Sequence, residues 1–311
     1  MKVVCFHNVV REPLDEFDRQ LERKHISGFI GTVMRLRAQY EIRPLRELLD
    51  RLQHGDPAAD ALAITFDDGF AGVYEVARPV LSDVGVSAAV FVVTEPAVAA
   101  TSGFSPNRLL HFERLEIAFR LTRKEWLDGS TLGADAISLR SPRERAREMT
   151  RLKTVMKRLP ASECERAQCE LLSQLAVTED EILEFASKSA KFRKLSADQL
   201  GSLIEMGWTV GGHTRTHRPL SSLHSVELFH EVAGCRDDLF KQFGQANPPF
   251  AYPYGTVDLI GSQAPQVVRQ AGFCCAFTTK TEPCVSNGDL FHLGRYSEMA
   301  LMVDSLILGA G

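Results

Sequence analysis

The chain of 311 residues has no apolar run of transmembrane length, no Cys-x-x-Cys pair and no excess of positive charge. Each absence narrows what the protein can be. A membrane-spanning helix needs about 20 consecutive apolar residues, and the start, Met1 to His7, carries too short an apolar run for a secretory signal. The expectation is a soluble protein of the cytoplasm. Seven cysteines, an odd and scattered set that includes the neighbours Cys274 and Cys275, make a poor disulfide framework and fit a reducing compartment. Without paired thiolates, a cysteine-held zinc site is also disfavoured. A formal net charge of -4 and a pI near 6.2 leave no global field to draw the chain to nucleic acid. What remains is a composition, 44% hydrophobic and 24% charged, that can bury a large core. One domain with a substantial insertion is expected over residues 1–311.

The most informative stretch is Ala61-Leu62-Ala63-Ile64-Thr65-Phe66-Asp67-Asp68-Gly69, an apolar run that stops on two adjacent carboxylates. A strand covered on both faces reads this way, admitting polar groups only where it emerges. Adjacent carboxylates repel, and the repulsion is relieved when one binds a cation and the other finds a proton or a positive partner. A turn is the ordinary use of Asp-Asp-Gly, so the metal reading needs ligands from elsewhere. Val3 to Val10 predicts an earlier strand interrupted by His7-Asn8, where the polar pair is either a satisfied core group or the end that opens onto a site. Helix signals follow over about 14–23, 27–40 and 44–52, then an apolar stripe after Gly69 and a β-branched strand over 86–93. Strand, helix, strand in this order is a right-handed parallel crossover, and its repetition predicts a barrel or open parallel sheet.

Between residues 97 and 190 strand signals nearly vanish. A polar link at 99–107, then helices including one opened by Ser141-Pro142-Arg143-Glu144 and ended by Pro160, predict an inserted helical subdomain. No dense catalytic cluster is visible there, and His111 and Glu113 read as surface or core-edge residues. The next helix, from Leu195, is expected to stop at Gly207, and Trp208-Thr209-Val210 delivers Gly211-Gly212-His213-Thr214-Arg215-Thr216-His217 to a strand end. Two histidines four apart are either surface residues of a turn or, if a helical turn intervenes, imidazoles converging on one metal. One carboxylate and two imidazoles would leave coordination positions for water and substrate.

Together, Thr65-Phe66-Asp67-Asp68-Gly69 and His213-Thr214-Arg215-Thr216-His217 resemble the first two motifs of the polysaccharide deacetylase family, the NodB-homology or carbohydrate esterase family 4 enzymes. The resemblance implies a distorted (β/α) barrel, α/β in class, with the helical insertion outside it. It implies Asp67 as catalytic base and Asp68, His213 and His217 as ligands of one divalent metal ion, zinc by preference, with iron or cobalt compatible. Pro253-Tyr254-Gly255 is a rigid turn or resembles the third motif, in which Tyr254 gives a backbone donor to the oxyanion. The arginine that many members carry in that motif is missing, and Arg295 is either a surface residue or its replacement. Cys5-Phe6-His7-Asn8-Val9 resembles the first strand of the branch related to poly-N-acetylglucosamine deacetylases, which makes His7 the candidate general acid. The implied activity is metal-dependent removal of N-acetyl groups from an amino sugar in a glycan or glycan precursor. Alternatives are O-deacetylation, deacylation of a lipid- or nucleotide-linked sugar, or carbohydrate binding without catalysis.

Overall fold

In the computed structural model the described residues are 1–21, 23–55, 60–94, 109–130, 135–285 and 288–308. The polar link expected at 99–107 and the expected insertion boundary at 97 lie outside them. The apolar, β-branched runs form strands β1 (Lys2–Phe6), β2 (Glu41–Ile42), β3 (Ala61–Phe66), β4 (Ala89–Val92), β5 (Thr209–Gly212), β6 (Phe250–Ala251), β7 (Ala276–Phe277) and β8 (Tyr296–Ser297). They pair side by side in the order β7-β6-β5-β4-β3-β1-β8, with β2 beside the first part of β3. All these pairings are parallel.

Side chains on the central strands alternate between two cores, as the period of a strand requires. Val4, Phe6, Leu62, Ile64, Phe66, Val90 and Val210 meet one set of helices together with Phe29 and Trp208. Val3, Ala61, Ala63, Ala89, Phe91, Ala251 and Phe277 face the other way and meet the helix Leu45–Gln53. At one end of the sheet, Leu293 just before β8 exchanges hydrogen bonds with the β7 segment, Leu293 N–H to Ala276 O at 3.0 Å and Thr278 N–H to Leu293 O at 2.8 Å. The sheet therefore curls until its two ends meet, and the expected distorted barrel is the fold observed.

The segment between β4 and β5 contributes α1 (Glu113–Leu121), α2 (Pro142–Met156), α3 (Ala161–Leu175) and α4 (Glu179–Lys188). Their core of Leu115, Phe119, Met149, Leu152, Leu171 and Ile182 is separate from the barrel's. The Ser141 box forms as read: Ser141 Oγ accepts from Glu144 N–H at 3.2 Å, and the Glu144 carboxylate accepts from Ser141 N–H at 2.9 Å. A short antiparallel pair, Trp126–Leu127 with Ile137–Ser138, interrupts the helices.

Two helical faces differ from expectation. The sequence pattern over 225–240 predicts a helix with Val226, Phe229, Val232 and Leu239 inward, but on the helix Ser225–Phe243 the buried stripe is Leu228, Val232, Cys235 and Leu239, and Val226 and Phe229 are exposed. The helix predicted over 27–40 has Phe29, Ile30, Val33, Met34 and Leu36 on its apolar side, and of these Ile30 and Met34 are likewise exposed while Phe29, Val33 and Leu36 are buried. In both helices apolar residues surround more of the circumference than the barrel can cover. Among the described residues no helix is long and apolar enough to cross a membrane.

Candidate active site

Parallel pairing sets the C-terminal ends of β1, β3, β4, β5 and β6 on one rim. Hydrogen bonds continue the ladder past the strands there: Asp67 N–H to Phe6 O at 2.9 Å, His213 N–H to Val92 O at 2.9 Å and Tyr252 N–H to Phe277 O at 3.0 Å. Asp67 and His213 are thus fixed by the backbone of the neighbouring strand. Close approach at this point requires glycine. A Cβ on Gly211 would stand 2.6 Å from Pro249 O and 2.7 Å from the Phe91 ring.

Among the described residues five non-glycine residues have left-handed backbone, and four of them, Asp68 (φ 71°), Thr214 (φ 63°), His217 (φ 64°) and Tyr254 (φ 63°), belong to the three motifs. Such angles cost energy and persist where the surroundings enforce them, most often at functional sites. They also correct one expectation. His213 to His217 is not a helical turn; the imidazoles converge because Thr214 and His217 each reverse the chain. Thr214 Oγ1 accepts the His217 N–H at 3.0 Å, and Glu231 accepts the N–H groups of Arg215 and Thr216 at 3.0 and 2.9 Å.

Asp68, His213 and His217 each present one donor atom, all within 4.8 Å of one another. His217 Nε2 is 3.1 Å and His213 Nε2 3.4 Å from Asp68 Oδ1. The Ala251 carbonyl, 2.7 Å from His213 Nδ1, can only accept, so Nδ1 carries the proton and Nε2 offers its lone pair. Asp68 Oδ1 is buried without a hydrogen-bond partner. An orphaned carboxylate oxygen among two imidazole nitrogens fits a divalent cation with open positions. Burial pushes the Asp68 carboxyl up, but His217 and His213 outweigh it and hold it well below the usual carboxylate range.

Asp67 is treated differently. Arg295 Nη1 and Nη2 donate to its two oxygens, each at 2.7 Å, and the arginine is 1% exposed. Arg295 sits just before β8 and reaches the rim with its guanidinium 5.6 Å from the Phe91 ring centre, where the alternative reading had placed a surface arginine. Burial raises the Asp67 carboxyl; Arg295 and His213 more than reverse this, so it stays below its ordinary value. Cys5, His7 and Asp67 also lie within 4.8 Å of one another. Both Asp67 oxygens are taken by Arg295, so this trio is no second cation site. It does put His7 beside the carboxylate.

Both aspartates, His7, His213, His217 and Tyr254 line one cavity of about 360 Å³. The Tyr254 N–H has no acceptor among the described residues. Its ring lies 4.8 Å from that of His217, and its hydroxyl donates to the His217 carbonyl at 3.3 Å. The site therefore assembles every residue singled out for it. The cavity also contains what the sequence reading passed over: Glu113, Glu116, Lys153 and Lys157 line it from the helical segment. His111 lines no part of it and instead approaches Gln168 and Cys164. A polar face on a helix looks the same in sequence whether it meets solvent or a cavity. Only the docking of the segment tells them apart.

A family model described as polysaccharide deacetylase matches residues 183–276, which include the histidine pair and Tyr254 but not Asp67-Asp68 or Arg295. The resemblance to polysaccharide deacetylases is borne out over that segment, which is less than a third of the chain. No curated protein matches the sequence. Among solved structures, the Streptococcus pyogenes deacetylase PplD, in complex with acetate, is 14% identical with a TM-score of 0.58, over 97% of this chain and 96% of that one. IcaB from Ammonifex degensii is 18% identical with a TM-score of 0.53, over 98% and 95%. A de-N-acetylase from Aggregatibacter actinomycetemcomitans is 11% identical with a TM-score of 0.52, over 95% and 93%. At these identities the likeness is one of polysaccharide deacetylase fold.

Proposed function

We propose that this protein is a polysaccharide deacetylase that hydrolyses the N-acetyl group of an amino sugar. The observation that carries the reading is one cavity that holds a carboxylate clamped by Arg295 next to a separate three-donor cluster. A neighbour in fold that bears the name de-N-acetylase supports nitrogen rather than oxygen as the acetyl-bearing atom. Asp68, His213 and His217 would hold the cation, zinc by preference, with iron or cobalt suited to the same donors. When bound, a divalent cation supplies Lewis-acid polarisation of the acetyl carbonyl and makes a water more acidic.

The chain's own residues then divide the proton work. Asp67 accepts a proton from the attacking water at its carboxylate, and Arg295 keeps that carboxylate ionised and aimed. The Tyr254 N–H, which has no acceptor among the described residues, donates to the carbonyl oxygen as negative charge develops. His7, on the adjacent strand end, gives a proton to the amine nitrogen as the C–N bond breaks.

The test is acetate release by zinc-reconstituted protein from a panel of N-acetylated oligosaccharides, sugar phosphates, nucleotide sugars and their O-acetylated counterparts, with Asp67→Asn as control. Release from the N-acetylated set alone, lost in the control, is expected. Release only from O-acetyl substrates overturns the amide reading, and metal content without any release favours a binding protein.

A further inference from the structure

The cavity's charges do not balance. Of its carboxylates, Asp67 is matched by Arg295 and Asp68 belongs to the histidine cluster. Glu113 accepts from Lys194 Nζ at 2.6 Å. Glu116 accepts from Arg23 at 2.6 and 3.2 Å and from Arg120 at 2.8 Å. Every other acidic group that lines the space therefore has a positive neighbour, and Asp68 belongs to the cluster that would hold the cation. Lys153 and Lys157, which line the same space, have no ion-pair partner among the described residues.

Their placement follows from α2. Met149, Lys153 and Lys157 recur at intervals of four and so share one face, which the helical segment's own core turns toward the barrel rim. Lys157 Nζ stands 3.9 Å from the centre of the Tyr254 ring, and Lys153 Nζ 5.9 Å from that of Phe112. Aromatic faces attract cations but give them no counter-charge. Burial holds both ammonium groups below the usual lysine range, Lys157 at about 7. Glu116, Asp68 and Glu113 act on Lys153 and Asp68 on Lys157 without an ion pair to either, and a neutral acetylated oligosaccharide would bring neither ammonium a direct counter-charge.

We propose that the substrate carries a phosphate beside its acetylated amino sugar, and that Lys153 and Lys157 on the helical segment bind that phosphate. The inference rests on the deacetylase reading for the sugar, but not for the anion. Phosphate rather than carboxylate follows from the donors: compact ammonium groups one helical turn apart suit tetrahedral oxygens, whereas carboxylates recruit the arginine fork. The arginine of this cavity, Arg23, already spends its fork on Glu116.

The experiment compares N-acetylglucosamine 1-phosphate with N-acetylglucosamine by calorimetry on zinc-loaded wild type and on the Lys153→Gln/Lys157→Gln double variant, with thermal melting as the check on folding. Wild type is expected to bind the phosphorylated sugar about ten-fold or more tighter than the neutral one, and the double variant to lose that advantage. Equal binding of the two sugars by wild type overturns the proposal. So does a phosphate advantage that survives in the double variant, because the cation alone then holds the anion. If the double variant melts early, Lys157→Met and Lys157→Arg replace it: the first must lose the advantage and the second keep most of it.

In turnover, the double variant is expected to raise KM for the phosphorylated substrate about ten-fold relative to that for a neutral acetylated oligosaccharide, so that the wild-type preference in kcat/KM is lost. Nucleotide sugars and short prenyl diphosphate sugars, run beside the free sugar phosphate, identify the carrier. Acetate release from none of them, with the binding advantage intact, sinks the deacetylase reading while leaving the anion site standing.

Discussion

Arg295 holds Asp67 by both prongs, one guanidinium nitrogen 2.7 Å from each carboxylate oxygen, with both residues buried. The two charges are separated by 228 positions in the chain, so the pair joins the last strand of the sheet to the site. Removing the cation leaves a buried anion with no counter-charge. Arg295→Met is therefore expected to cost about 3–5 kcal/mol of stability, measured by denaturant unfolding. Arg295→Lys, with charge but no fork, should fall between the two.

Asp67 and Asp68 are adjacent but not interchangeable. Asp67→Asn should keep its cation and lose about 10²–10⁴ in kcat, the range for a positioned base. Asp68→Asn and His213→Ala should lose the cation itself. Metal content by mass spectrometry beside acetate release separates the two classes, and equal metal loss in Asp67→Asn would refute the division.

His7 is tested through the leaving group. An amine must be protonated as it departs, whereas a 4-nitrophenolate need not be. His7→Ala should lower kcat by about 10²–10⁴ on an acetylated amino sugar and change hydrolysis of 4-nitrophenyl acetate far less. A parallel loss on both substrates would remove His7 from the role of acid.

The helical segment is tied to the chain's N-terminal part by buried charges, and their pH dependence has a definite sign. Burial raises the Asp18 carboxyl, but Lys191 at 2.6 Å, the Asp15 N–H, Arg120 and Arg23 overcome it and bring it to about 2. A depressed folded value means that the stabilisation is complete above the ordinary value of 3.8 and is lost as pH falls toward 2. The contribution is about 2 kcal/mol. Unfolding in urea between pH 5 and pH 2 should show this acid limb, and Asp18→Asn should flatten it.

Gly211→Ala tests the strand that delivers the histidines. Its methyl group would meet Pro249 O at 2.6 Å and the Phe91 ring at 2.7 Å. Overpacking of this kind costs about 1–3 kcal/mol, and here the strain displaces the segment leading to His213. Both the melting temperature and the zinc affinity should fall. An unchanged affinity would mean that β5 can shift without moving the imidazole.

These relationships were not equally legible in the sequence. Asp67, Asp68, His213 and His217 stood out because apolar strands ending in polar residues leave a local mark that survives without coordinates. The path between the histidines did not, since a four-residue spacing fits a helical turn as well as the two left-handed reversals that occur. Arg295 could be named only by asking what replaced an arginine missing near Tyr252, because its own surroundings, Gly294 and Tyr296, resemble any strand edge. Lys153 and Lys157 left no mark at all, and Glu113 read as a surface or core-edge residue. Their polar spacing on helices is that of a solvated face, and their facing the cavity is a property of how two cores dock. The exposed Val226 and Phe229 show the converse error, apolar residues read as buried where the barrel has no surface left to cover them.

The curled sheet also orders events during synthesis. Asp67 leaves the ribosome 228 residues before its partner Arg295, an interval on the order of ten to fifty seconds at ordinary elongation rates. Throughout that time β1 has β3 on one side and, on the other, an unpaired edge reserved for β8. The nascent chain must shelter that edge, and hold a bare carboxylate at the rim of its central strand, until its last strand arrives to close both.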